Sequence, residues 1–151
     1  MHLRPPARRL LPRGAAIVAS CLIAAGCGGS SAPRTFTAHQ VADKLSSLGC
    51  SAKPPDTTDT IDLGDIKPKA SLECTINGED IGIDEYATAD QVKHNLNLAK
   101  GIGCEIAKEF GVSEAFYVLA NNVMVTPDTR STAEQVKNAI GGPATVHTLH
   151  C

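Results

Sequence analysis

The chain has 151 residues, 42% of them apolar, with 16 acidic against 14 basic residues, enough for one buried core but not for several domains. Trp is absent and there are only two Tyr and three Phe, which disfavours a sugar-stacking surface or an aromatic cage. The slight negative charge argues against nucleic acid or an anionic membrane surface as partner, since both need a concentrated positive face.

Arg4, Arg8, Arg9 and Arg13 precede an apolar run too short to span a bilayer, which is the layout of an export signal. The junction Ile23-Ala24-Ala25-Gly26-Cys27 resembles the lipobox of bacterial lipoproteins. That resemblance implies a lipoprotein-type signal peptide over 1–26, acylation of the Cys27 thiol, and a mature chain that begins at Cys27. Two or three acyl chains hold a protein durably on a membrane, whereas one holds it only reversibly. The expected location is therefore the outer face of the cytoplasmic membrane, anchored through lipid without a spanning helix. Gly28-Gly29-Ser30-Ser31-Ala32-Pro33 reads as a flexible tether, so 27–35 is anchor and linker and 36–151 a single domain. All 16 acidic residues but only 10 of the 14 Lys and Arg lie beyond the signal, leaving the mature chain at about −6.

Within the domain a phrase occurs three times: Thr37-Ala-His-Gln-Val41, Thr88-Ala-Asp-Gln-Val92 and Thr132-Ala-Glu-Gln-Val136. Each reads as a helix start in which Thr caps a free amide, Gln reaches back as in a capping box, and Val begins the buried stripe. The first helix is expected to bury Val41, Leu45 and Leu48 and to stop at Gly49. A Pro-, Thr- and Asp-rich loop, 51–70, comes next. Asn77-Gly78 then joins two alternating runs, a strong hairpin signal. That turn sets Cys74 opposite Ile81 and Leu72 opposite Ile83, with Glu73, Thr75, Asp80 and Asp84 facing out.

The second helix is expected to bury Val92, Leu96 and Ala99, to meet Gly101 and Gly103, and to resume through Ile106 and Phe110. A second hairpin, Ala115 to Ala120 and Val123 to Thr126, turns at Asn121-Asn122. One face carries Phe116, Val118, Ala120, Val123 and Val125. The other carries Tyr117, Leu119 and Met124, more apolar than a wet face requires. The third helix buries Val136 and Ile140 and ends at Gly141-Gly142-Pro143, and Ala144 to Leu149 closes the sheet as an edge strand. The predicted fold is α+β, in the order α-ββ-α-ββ-α(-β), with an antiparallel sheet of four to five strands packed on one side by three helices.

With Cys21 in the leader and Cys27 acylated, Cys50, Cys74, Cys104 and Cys151 remain, an even number outside the cytosol that implies two disulfides. Three connectivities exist, and this layout favours Cys50 with Cys74 and Cys104 with Cys151, because each then joins neighbouring elements. In the chain-entropy model each bridge stabilises by roughly 3 to 4 kcal/mol. A zinc site is the rival use of these cysteines, but no Cys-x-x-Cys pair is present.

At this point the chain resembles small two-disulfide lipoproteins of actinobacteria. They share the lipobox, the Gly/Ser tether, a Cys at the end of the first helix (Cys50), another in the first strand (Cys74), a late Asn-bearing hairpin (Asn121-Asn122) and a helix ending in Gly-Gly (Gly141-Gly142). Some of them carry Trp in that hairpin where this chain has Val123, so a role tied to that aromatic does not carry over. The resemblance implies location and fold and no chemistry.

His147-Thr-Leu-His150-Cys151 offers three ligand types in five residues, but on an edge strand the two His point to opposite faces. Asp56, Asp59, Asp62 and Asp65 recur through the long loop without EF-hand spacing, and a solvated loop is the expected reading. His39 and His94 fall on polar helical faces, and no nucleophile elbow, redox pair or phosphate loop is present. No catalytic, cofactor or metal residue is therefore assigned. The expectation is a non-catalytic domain that binds an unidentified protein or envelope component through Tyr117, Leu119 and Met124. A small-molecule or lipid carrier with a ligand between sheet and helices is the alternative, and it requires a cavity of several hundred Å³.

Overall fold

Chain direction decides the architecture. The computed structural model describes residues 34–56, 66–109 and 111–151. From Arg34 onward these belong to one compact unit. The predicted leader, the tether and Cys27, with Asp59, Asp62, Asp65 and Phe110, lie outside the described residues.

In chain order the elements are α1 (Ala38–Leu45), β1 (Ala70–Ile76), β2 (Glu79–Glu85), α2 (Ala89–Leu98), α3 (Cys104–Glu109), β3 (Glu114–Ala120), β4 (Val123–Thr126), α4 (Arg130–Ile140) and β5 (Thr145–His150). The five strands form one antiparallel sheet in the order β1-β2-β4-β3-β5. Because every neighbour is antiparallel, β2 and β3 run one way and β4 and β5 the other. The β2-to-β3 and β4-to-β5 connections both step in the same direction across the sheet, each over one intervening strand. Connections of one hand then fall on opposite faces, since the strands they leave run in opposite directions.

The predicted α+β class and five-stranded sheet stand, but the helices cover both faces rather than one. α1 and α4 cover the first face, where Val41, Leu45, Val136 and Ile140 pack with Leu72, Ile76, Ile81, Ile83, Phe116, Val118 and Val125. On the second face, Val92, Leu96 and Ala99 of the α2 segment pack with Tyr86, Leu119, Met124 and Leu149. Each of these larger apolar side chains contributes about 1.5–3 kcal/mol on full burial.

Local signals were obeyed at most points. Thr37 caps α1 with the full reciprocal box through Gln40, and a 3₁₀ turn, Ser46–Leu48, carries the chain to a left-handed Gly49. Thr88 caps α2, while the Gln91 side chain accepts from Ala87 N–H instead of from the cap residue. The second helix passes into α3 through a π-helical turn, Ala99–Gly103, that holds both glycines. Asn77 and Gly78 take positive φ, and the β1–β2 register pairs Cys74 with Ile81 and Leu72 with Ile83.

The third phrase is a correction. α4 begins three residues early, capped by Thr129, and Thr132 lies inside the helix and buried. The reason is Glu79, whose carboxylate accepts from the Asp128 and Thr129 amides (3.1 Å each) and from the Thr129 and Thr132 hydroxyls (2.7 Å each). An anion at a helix N-terminus satisfies free donors and complements the dipole, so this distant carboxylate overrides the local phrase. Glu85, at the other end of β2, does the same for α1, accepting from Ala38 N–H at 3.0 Å and pairing with Lys69 at 3.4 Å.

Asn122 ties three segments together. Its Oδ1 accepts from Phe36 N–H at 2.7 Å, and its Nδ2 donates to the carbonyls of Phe36 (2.9 Å) and Tyr86 (3.1 Å). Its side chain is buried, so each of these bonds is expensive to lose.

Two stability predictions follow from these networks. Asn122→Ala strands several backbone groups and should cost about 2–4 kcal/mol, read as a lower urea midpoint at unchanged m-value. For Glu79, desolvation raises the pKa, but the hydrogen bonds from Thr129, Thr132 and Asp128 together outweigh it and hold the carboxyl below its ordinary 4.5. A lowered folded pKa contributes stability above the unfolded value and loses it as pH falls through the folded one. The stability gap between wild type and Glu79→Gln should therefore be widest above pH 4.5 and close on further acidification, as followed by urea titrations at stepped pH.

Candidate functional site

The interaction face expected from Tyr117, Leu119 and Met124 is not open. Leu119 is 9% and Met124 7% exposed, and Tyr117 is half-buried against the same cluster. The apolar stripe of α2 and the second face of the hairpin each lacked a partner in the sequence, and they cover one another. That complementarity was the signal available for placing α2 on this face.

Coverage is incomplete, and a cavity of about 540 Å³ remains. Leu98 and Ala99 with Asn95 wall it from the helical side, Met124 and Tyr117 line it from the hairpin, and Ser71, Glu73, Gly82, Asp84 and Thr126 from the sheet. Pro55 and Ile66 to Pro68 also contribute, as does Tyr86. The space exists partly because Gly82 has no side chain. A Cβ there would stand 2.8 Å from Thr126 Oγ1 on the neighbouring strand.

The polar end is built from residues the hairpin pattern had turned to solvent. Asp84 and Ser71 are cross-strand partners, and the Ser71 hydroxyl donates to Asp84 Oδ1 at 2.6 Å. Asp84 is half-buried, and burial raises its pKa while the Ser71 bond pulls against the rise. Tyr86 is raised first by burial, with its hydrogen bond to Asn95 opposing and the nearby Asp84 charge adding. Burial raises Tyr117 as well. Asn95 also donates to the Ile66 carbonyl at 3.4 Å, which ties the helix to the chain on the cavity's other side. Both tyrosines of an aromatic-poor chain thus line one cavity, where the composition had disfavoured aromatic recognition.

The cysteines are paired as Cys50–Cys74 and Cys104–Cys151, with Cα–Cα distances of 5.2 and 4.9 Å. The first bridge fastens the end of the first helical segment to β1, and the second fastens α3 to the residue after β5. Cys151 is therefore committed to sulfur, His150 sits 3.1 Å from Glu114, and His147 Nε2 is 3.0 Å from Thr145 Oγ1. The C-terminal trio is not brought together. His39 and His94 are exposed on α1 and α2. Among the described residues no cluster of three metal-ligating side chains occurs, and no helix is long and apolar enough to cross a membrane.

No protein-family model matches the chain, and no curated protein or solved structure matches it either. The site's chemistry therefore rests on its own residues: an apolar wall, two phenols, and a carboxylate that has one hydroxyl donor among the described residues.

The close approach at Gly82 predicts a specific coupling. Gly82→Ala should destabilise by about 1–3 kcal/mol through overpacking, and adding Thr126→Ala should recover much of that loss in a double-mutant cycle of urea stabilities.

Proposed function

We propose that the mature protein is a non-catalytic, lipid-anchored domain that holds a small, largely apolar ligand between its sheet and α2. The cavity of about 540 Å³ carries this reading, since ligand sites commonly span about 300–1,000 Å³ with mostly apolar walls and few polar groups. Burial of Leu119 and Met124 removes the basis for an open protein-docking face on this side, which favours the carrier over the interaction module. Anchoring rests on the sequence around Cys27 and on two disulfides, which suit an oxidising compartment. The arrangement suits capture of an amphipathic molecule beside the membrane surface, with the acyl anchor keeping the pocket near where such molecules partition.

The chain contains only two methionines, Met1 and Met124, so Met124 is a singular reporter once the leader is removed. In protein labelled at the methionine methyl, titration with the neutral compound 4-phenylbutan-1-ol should shift the Met124 signal saturably. Leu98→Trp, which narrows the cavity from the α2 side, should weaken that response at least tenfold. A Met124 signal that drifts without saturation in the wild-type protein, or a saturable shift that Leu98→Trp leaves at full strength, refutes the carrier reading.

A further inference from the structure

Resting on that reading, we infer that the cavity selects ligands carrying a protonated amine, with the ammonium seated at Asp84 beside Tyr86 and the apolar tail directed along Met124 and Leu98. Three independent features converge on this class. The first is an incompletely matched anion. Asp84 receives one hydroxyl donor, from Ser71, and no cation among the described residues pairs with it. A carboxylate in a partly desolvated site is stabilised strongly by a charged donor and only modestly by a neutral one.

The second is the charge of the lining, which comprises Asp84 and Glu73 against Lys67. Lys67 is already engaged in an interaction of its own. An anionic ligand would meet two carboxylates, and a neutral one would leave Asp84 as it stands. The third is the clustering of both tyrosines on this cavity, because aromatic rings beside a carboxylate favour an ammonium over an uncharged head. Leu98, Ala99 and Met124 supply the apolar counterpart, so the fitting molecule is a hydrophobic amine rather than a small hydrophilic one.

The experiment compares three matched compounds on methionine-labelled protein at pH 7: 4-phenylbutan-1-amine, 4-phenylbutan-1-ol and 4-phenylbutanoate. The amine should bind at least tenfold more tightly than the alcohol, and the acid most weakly. Asp84→Asn should bring the amine to within about threefold of the alcohol measured on the same variant. Equal affinities of amine and alcohol in the wild type, with both moving Met124, overturn the amine preference and leave the carrier reading standing. Failure of all three compounds to move Met124 instead removes the carrier reading. Should Asp84→Asn lose alcohol binding as well, Ser71→Ala decides the matter, because it keeps the carboxylate and removes only its hydroxyl partner. Retained or increased amine preference in that variant supports the assignment, and its disappearance refutes it.

Discussion

Leu119 and Met124 face each other across the central hairpin, on the side of the sheet turned away from α1 and α4. Leaving two large apolar side chains in water would cost several times RT, roughly 1.5–3 kcal/mol apiece, so this face has to be covered. The α2 segment supplies the cover, and its own stripe of Val92, Leu96 and Ala99 has the same need. Mutual burial of these two surfaces turns a one-sided sheet into the middle layer of three. The cavity is a by-product of the mismatch in their widths. Toward β1 and β2 the sheet presents Ser71, Gly82 and Asp84, which have no apolar bulk to meet a helix.

Strand β2 divides its acidic residues by the simplest rule in β structure. Glu79 and Glu85 share the alternation of Ile81 and Ile83, and they seat the N-termini of α4 and α1 from the two ends of that face. Asp84 belongs to the other parity and enters the cavity with Gly82. Carboxylates one residue apart therefore serve unrelated ends. Glu85 stabilises a helix start through a backbone amide and the Lys69 ammonium, and Asp84 stands in a pocket with one hydroxyl donor among the described residues.

Where the controlling interactions are local, the residues could be read directly. Asn77-Gly78 specified a turn with two positive φ angles, and the alternating apolar positions then left one register for Cys74 and Leu72. Thr37 and Gln40 likewise contain both halves of a capping box within four residues. Thr132 shows the limit of that reading. Its phrase is the same, but Glu79 lies 53 residues away and captures its hydroxyl, with Thr129 taking the cap. Asp84 was legible as an outward residue of a hairpin and not as part of a site, because its surroundings come from a helix and a loop on either side of that hairpin.

The sequence by itself determined the strands, their turns, the first two helix caps and the cysteines available for pairing, since each depends on contacts within a few residues or on composition. It also carries the case for export and acylation at Cys27. Only the tertiary structure decided that α2 and α4 lie on opposite faces, that Tyr117, Leu119 and Met124 are covered, and that Asp84 and both tyrosines share one cavity. The physical reason is that the face taken by a crossover depends on the relative directions of non-adjacent strands. Those directions follow from the order β1-β2-β4-β3-β5, which no single segment encodes.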